Sequence, residues 1–259
     1  MGYSHLVALT GHVEGREQDY NDWYTWVHLR DVMQLSLSVV GAQRFRASDT
    51  LSAMGGTQYD FPYLCVYEVI EPEAMTADHA PVFTDDMPIS DAYDLARASE
   101  VYFNEIAGIS NRPGQHGAAS VIVERFGDAP CDPSLAAWYV SERLPQISAL
   151  PGVVAGSVGV PHDHQMFEQP LSALCAVYWS ENLGATAGAW PALQDNAPKA
   201  LERSTISLNA YDAVIERLTI SEVRNPSPAD RETAARIRAR IMESVHAGPN
   251  AGVQSEHFA

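Results

Sequence analysis

The chain has 259 residues, 46% of them apolar and 19% charged, with a formal net charge of −17. That length supplies core enough for one large domain or two small ones, and the apolar share excludes a disordered chain. The negative charge excludes nucleic acid held on a basic surface and docking on anionic membranes.

No apolar run approaches the roughly 18 residues that read as a membrane span, so no membrane partner is expected. The opening residues lack the basic and apolar regions of an export signal, and a cytoplasmic protein is the expectation. Cys65, Cys131 and Cys175 form no CxxC pair, which suits a reducing compartment. Cys65 and Cys175 lie in apolar runs and read as small core residues.

A first strand is predicted over residues 3–10, followed by a helix from about Gln18 to Leu35. Asp19 near its start suits the helix dipole. Tyr24, His28, Asp31 and Leu35 fall on one stripe of that helix, and Tyr20, Trp23, Val27 and Arg30 on the next. Strands are predicted at 38–47 and 63–70, the latter bounded by Pro62 and Pro72. Residues 71–90, acidic and proline-containing, read as a surface segment or the cover of a pocket mouth. A helix near 90–100 and a strand around 101–109 complete a βαββαβ order, the ferredoxin-like pattern.

The pattern then returns. Ser120–Glu124 follows His5–Leu9 by 115 residues, and Trp138-Tyr139 follows Trp23-Tyr24 by the same distance. Val153 and Gly156 follow Ser38 and Gly41 by 115, Cys175 follows Cys65 by 110, and Tyr211 follows Tyr102 by 109. Blocks recurring in one order imply two related halves. The expected division is residues 1–116, 117–224 and a C-terminal helix with its tail, 225–259. The expected fold class is α+β: two tandem ferredoxin-like halves, sheet to sheet, forming an α/β barrel with a pocket at its centre or mouth. Ser227, Pro228 and Asp230 start the last helix as N-cap, proline and acid. Its arginines suit either its own domain or an acidic neighbour, and a homodimer is the candidate assembly.

Asn21-Asp-Trp-Tyr24, His28-Leu29, Ala42-Gln-Arg-Phe45, Tyr63-Leu64 and Tyr67-Glu68 together resemble the EthD-like proteins of the dimeric α/β-barrel superfamily, most clearly over residues 3–70. The resemblance implies the ferredoxin-like unit and makes His28 the first catalytic candidate. It also implies a range of activities: monooxygenases without cofactors, dehydratases, isomerases and lyases of aromatic or polyketide-like compounds, and haem-binding proteins. Val27 departs from the pattern, standing where an acidic residue is usual.

His28 is the expected proton carrier, since an imidazole titrates near neutral pH. Asp31 would orient it, Tyr24 would hold a substrate oxygen, and Arg44 would stabilise developing negative charge. Asn21, Trp23, Tyr59 and Tyr67 are expected to contact substrate. In the second half His28 is matched by Arg143, Asp31 by Gln146 and Asn21 by Ala136, so one working pocket is expected, in the first half. His162-Asp163-His164 is a metal-like string without a third ligand of the right kind, and no metal site is assigned. No nucleotide-binding glycine motif occurs, and no cofactor is expected. The resulting expectation is a cofactor-independent lyase, dehydratase or isomerase acting on an apolar, aromatic small molecule. The alternatives are a cofactor-free monooxygenase and a protein that only binds a small ligand or haem.

Overall fold

The computed structural model describes residues 4–54, 61–71, 74, 84–110, 117–128, 130–163, 165, 171–193 and 206–247. In the first half, β1 (Ser4–His12) leads to α1 (Glu17–Trp23), a π-helical segment at Tyr24–His28, and α2 (Leu29–Leu35). Then come β2 (Val39–Ala47), β3 (Tyr63–Val69) and β4 (Tyr93–Ser110). The second half repeats this with β5 (Ser120–Asp128), α3 (Pro133–Trp138), a π-helical segment at Tyr139–Arg143 and α4 (Leu144–Ser148). It continues with β6 (Val153–Pro161), β7 (Ser172–Ser180), α5 (Leu183–Ala189) and β8 (Ile206–Ala213). The short β9 (Leu218–Thr219), α6 (Ile220–Arg224) and α7 (Pro228–Ala247) follow.

The strands join in the order β3-β1-β4-β6-β7-β5-β8-β2-β9, and β2 also pairs with β3. That second pairing closes the sheet into an antiparallel barrel, with β9 laid beside β2 at Gly41 and Ala42. The expected architecture of two ferredoxin-like halves closed into a barrel is therefore present. One expected element is not: residues 90–100 are not helical. Tyr93 onward is strand, part of an 18-residue β4 that pairs first with β1 and then with β6. The run DLARASEVYF contains good helix formers, but a place between two strands overrides that weak local preference.

Side chains alternate between two faces along each strand. Val7, Leu9, Phe45, Val66, Val123 and Trp179 belong to a cluster that fills the barrel. The opposite faces lie under helices and make two further clusters, one per half. The expected central pocket is thus replaced by packed side chains, and the chemistry-bearing residues lie between sheet and helices.

The described end of the 71–90 segment does cover something: Met87, Ile89 and Ser90 are buried, and the Trp23 indole donates to the Pro88 carbonyl at 2.8 Å. The C-terminal helix packs on its own chain. Ile237 and Ile241 enter the first-half core, and Arg240 pairs with Asp22 at 2.9 Å. Its expected N-cap is present, the Ser227 hydroxyl accepting from the Asp230 amide at 3.1 Å.

Candidate functional site

The first-half helix is built around a widened turn. The Leu29 amide donates to the Tyr24 carbonyl five residues back, the signature of a π-helix, a form often placed at functional sites. Uniform α-helical spacing puts Trp23 and His28 on different stripes. The π turn brings them together, with ring centroids 4.7 Å apart, while Tyr24 meets the same imidazole edge-on at 5.0 Å. His28 is therefore held among aromatic rings, 9% exposed.

Asp31, the expected partner of that imidazole, is engaged by Arg238 of α7. Burial pushes its carboxyl up to about 7 against the opposing pull of Arg238. Trp23 is fully buried, and Leu35 is at the surface. Tyr59 lies outside the described residues.

Arg44 on β2 points under this helix and is fully buried. Its guanidinium donates to the Asn21 side-chain oxygen at 2.9 Å, the Thr25 hydroxyl at 2.6 Å and the Asn21 carbonyl at 3.3 Å. It also lies 4.5, 5.1 and 5.3 Å from the ring centres of Tyr24, Tyr63 and Tyr20. Among the described residues no carboxylate pairs with it, so neutral oxygens and ring faces carry its positive charge. Asn21 passes the contact on: its amide donates to the Tyr63 hydroxyl at 2.8 Å, and that hydroxyl donates to Glu17 at 2.5 Å. A buried cation is thus wired to a carboxylate in the first turn of the helix.

Deeper in the layer the Tyr24 and Tyr67 hydroxyls are 3.3 Å apart, beside Cys65. Burial pushes both phenols well up and the thiol up to about 12, so none of the three ionises readily. The sequence reading missed Glu100, which faces this group from β4 and takes a bond from the Tyr93 hydroxyl at 3.3 Å. It keeps some accessible surface, yet its setting pushes the carboxyl up to about 7 by desolvation. The available signal was the period-2 run Ala98, Glu100, Tyr102, concealed by reading the segment as a helix.

The second half places its groups in matching positions. The Tyr139 and Tyr178 hydroxyls meet at 2.6 Å as Tyr24 and Tyr67 do. Strand pairing from that anchor matches Ala8 with Glu124, Arg44 with Val158 and Glu100 with Leu208. The matches Leu9–Glu124, Gly41–Gly156, Cys65–Cys175 and Tyr102–Tyr211 are each one residue out. A one-residue slip moves a strand residue to the opposite face; Cys65 faces the helices and Cys175 the barrel.

An open cleft of about 850 Å³ lies at one end of the first-half layer, lined among others by His12, Glu17, Asn21, Arg46, Tyr63 and Asp212. A second, of about 520 Å³, lies in the other half beside Ile106, Cys131, Val160, His162 and Asp163. His164 lies outside the described residues, and among those described no three His, Cys, Asp or Glu are grouped to hold a metal.

The chain matches no family model and no curated protein sequence. Its fold does match solved structures. One, assigned as a monooxygenase from Fusobacterium nucleatum, is 8% identical with a TM-score of 0.55 over 83% of this chain and 94% of that one. An anthrone oxidase-like protein is 10% identical, with a TM-score of 0.54 over 86% and 94%. A protein assigned as a chlorite dismutase is 10% identical, with a TM-score of 0.51 over 87% and 99%. The chain has the dimeric α/β-barrel fold. The likeness does not single out the EthD-like proteins within it, and it overturns the expected cofactor-independent lyase, dehydratase or isomerase. The matched proteins carry monooxygenase, oxidase and dismutase names.

Haem, which the resemblance implied for some relatives, does not fit the residues described. The first-half layer is filled by rings no more than 1% exposed, including Tyr20, Trp23, Tyr24 and Tyr67. The larger cleft has His12 and one arginine, Arg46, but sets three carboxylates, Glu17, Asp49 and Asp212, against the two carboxylates a haem carries. The smaller cleft has His162 but no arginine or lysine among its lining residues to receive them.

Proposed function

We propose that the chain is an oxidoreductase, a monooxygenase or oxidase of a phenolic or polyketide-like aromatic compound, with its active site at the first-half cleft. The observation that carries this reading is the chain of contacts from Arg44 through Asn21 and Tyr63 to Glu17, which joins a buried positive charge to a proton acceptor on the cleft wall. The oxidase and monooxygenase names of the matched folds support the reaction class.

The substrate lies against Tyr63 and Asn21. Glu17, acting through the Tyr63 hydroxyl, receives the proton of an acidic C–H or O–H. The positive field of Arg44 stabilises the resulting enolate or phenolate, a charge that develops only as the reaction begins. The electron-rich anion then gives its electrons to oxygen. For a methylene between two rings the balance consumes a single molecule of dioxygen. Both methylene hydrogens leave, one oxygen atom becomes the ketone oxygen and the other leaves as water, with all four electrons coming from the substrate. Tyr24 and His28 stand behind this wall and fix the tilt of the helix that carries Glu17 and Asn21.

An oxygen electrode and mass spectrometry on anthrone and anthraquinol-type compounds test the reading. Oxygen uptake with a ketone product is expected, and Tyr63→Phe should lower turnover by about 10²-fold, the low end of general acid–base help. Full uptake by Tyr63→Phe would remove the relay from the mechanism. Tight binding of these compounds without oxygen uptake would make the protein a ligand carrier.

A further inference from the structure

The internal repeat gives the first-half cleft a counterpart. Helix matching from Tyr24 and Tyr139 carries Asn21 to Ala136. Strand pairing carries Arg46 to Val160 and Val214 to Ile106, and the same offset beyond the strand carries Asp49 to Asp163. All four first-half residues line the larger cleft, and all four counterparts line the smaller one. The two clefts are therefore one place in the frame, occurring twice. Their walls differ. An amide and a guanidinium in the first half give way to the methyl groups of Ala136 and Val160, and Pro161 and Leu171 extend the apolar surface.

This apolar wall is left facing a hollow. Ile106 is 41% exposed, and Ala136, Val160, Pro161 and Leu171 are half-buried. The hollow measures about 520 Å³, within the range of about 300–1,000 Å³ that small-molecule sites occupy. Concave apolar surface in contact with water is covered favourably by a ligand of the same character. The wall is also held in place. The buried His162 donates its amide to the Tyr102 carbonyl at 2.9 Å, and its carbonyl accepts from the Gln165 side chain at 2.8 Å. That same side chain bonds both backbone groups of Tyr102 at 3.0 Å. A wall fixed in advance need not be ordered when a ligand enters. Asp163 brings negative charge to the rim, which disfavours an anion. Burial, with Asp132 beside it, pushes the Cys131 thiol up, so this residue serves as wall rather than nucleophile.

We propose that the second-half cleft binds a neutral apolar small molecule against Ile106, Ala136 and Val160, at a site separate from the first-half cleft. Its occupancy is independent of the reaction proposed above, because none of its lining residues belongs to the relay from Arg44 to Glu17. The cleft also carries its own reporter. Cys65 and Cys175 are buried, whereas Cys131 is partly open and stands in the cleft wall, so a bound molecule shields it from thiol reagents.

The test is fluorescence titration of the full chain with N-phenyl-1-naphthylamine, a neutral apolar probe, and with its sulfonated analogue 8-anilino-1-naphthalenesulfonate. Alkylation of Cys131 by iodoacetamide is followed by mass spectrometry in the same samples. Saturable binding of the neutral probe is expected, with alkylation slowing in step with saturation and the sulfonate binding more weakly. Ala136→Asn and Val160→Arg, which copy the first-half residues, should each weaken the neutral probe by about tenfold or more, since binding then buries a polar group. Ile106→Ser, at an exposed position where the fold is least disturbed, should weaken it too. No saturable binding, equal binding of the sulfonate, or binding unchanged in all three variants overturns the proposal. Loss of binding on Arg46→Val with binding kept in Val160→Arg would place the probe in the first-half cleft and overturn it equally. Shielding of Cys131 that grows with protein concentration alone would mean that a second copy of the chain covers the cleft, and would overturn it as well.

Discussion

The two helix-covered layers of this molecule share a frame and differ in their charges. Each has a π-helical turn that begins at a buried tyrosine, and each joins that tyrosine's hydroxyl to a second tyrosine on the sheet. In the second half the frame is closed on itself: Glu124 takes bonds from Arg143 at 2.7 Å and from Tyr139 at 2.6 Å. In the first half the buried cation comes from the sheet as Arg44 and meets neutral oxygens and ring faces, while the nearby carboxylate, Glu100, has a raised affinity for its proton. The second layer pairs its buried charges with each other, and the first sets its buried cation against neutral groups. A buried cation held without a counter-charge costs stability.

The largest effect should come from breaking the closed frame. Arg143→Ala leaves the Glu124 carboxylate, 1% exposed, without its counter-charge. A loss of about 3–5 kcal/mol in denaturant unfolding is expected, whereas replacing both members with leucine should be near neutral. Arg44→Val, which copies Val158, should reverse the pattern. Oxygen-dependent turnover should fall about 10²-fold or more, the scale of a lost charge stabiliser, with a stability change within about 2 kcal/mol. If Arg44→Val unfolds the protein as readily as Arg143→Ala, the contrast between the layers fails.

Glu100→Leu copies Leu208 and addresses pH. Burial raises the folded carboxyl from its ordinary 4.5 to about 7, so the folded state holds this proton more tightly than the unfolded one. The associated stability is present below about pH 4.5 and is lost as pH rises through about 7, an effect of order 1–3 kcal/mol. In the leucine variant the decline of stability between those values should flatten. The part that remains is due to Asp31, shifted in the same direction. Unfolding curves across pH 4–8 read this directly. The smallest expected difference is at the helix starts. Asp132 caps α3 by accepting from the Ser134 amide, while Arg16 gives α1 no side-chain cap. Asp132→Ala should lower the Tm slightly, and Arg16→Ser should raise it by less, offset by the loss of its surface pairs with Asp19 and Asp91.

Much of this was legible before the structure. Strand alternation and the Trp-Tyr repeat were enough for two ferredoxin-like halves, because burying one sheet face per half has few solutions. Arg44, Asn21 and Tyr24 do converge, since the strand after a helix crosses beneath it. Glu100 was hidden because DLARASE satisfies helical propensity, and only its neighbours in space make it a strand. The contact of Trp23 with His28 was hidden for a different reason: a π turn changes the residues per turn without leaving a compositional mark. Asp31 was assigned to His28 by spacing, and its partner Arg238 comes from 207 residues away, a distance no local pattern spans.

Barrels of this kind can also be closed by two copies of one chain, and then every substitution is made twice, once on each side of the symmetry axis. Here β4 and β8 carry the closure within a single polypeptide. The covalent join removes any dependence of barrel closure on protein concentration, and it frees the halves from identity. A cation can be set beneath one helix and a valine beneath the other, as Arg44 and Val158 are.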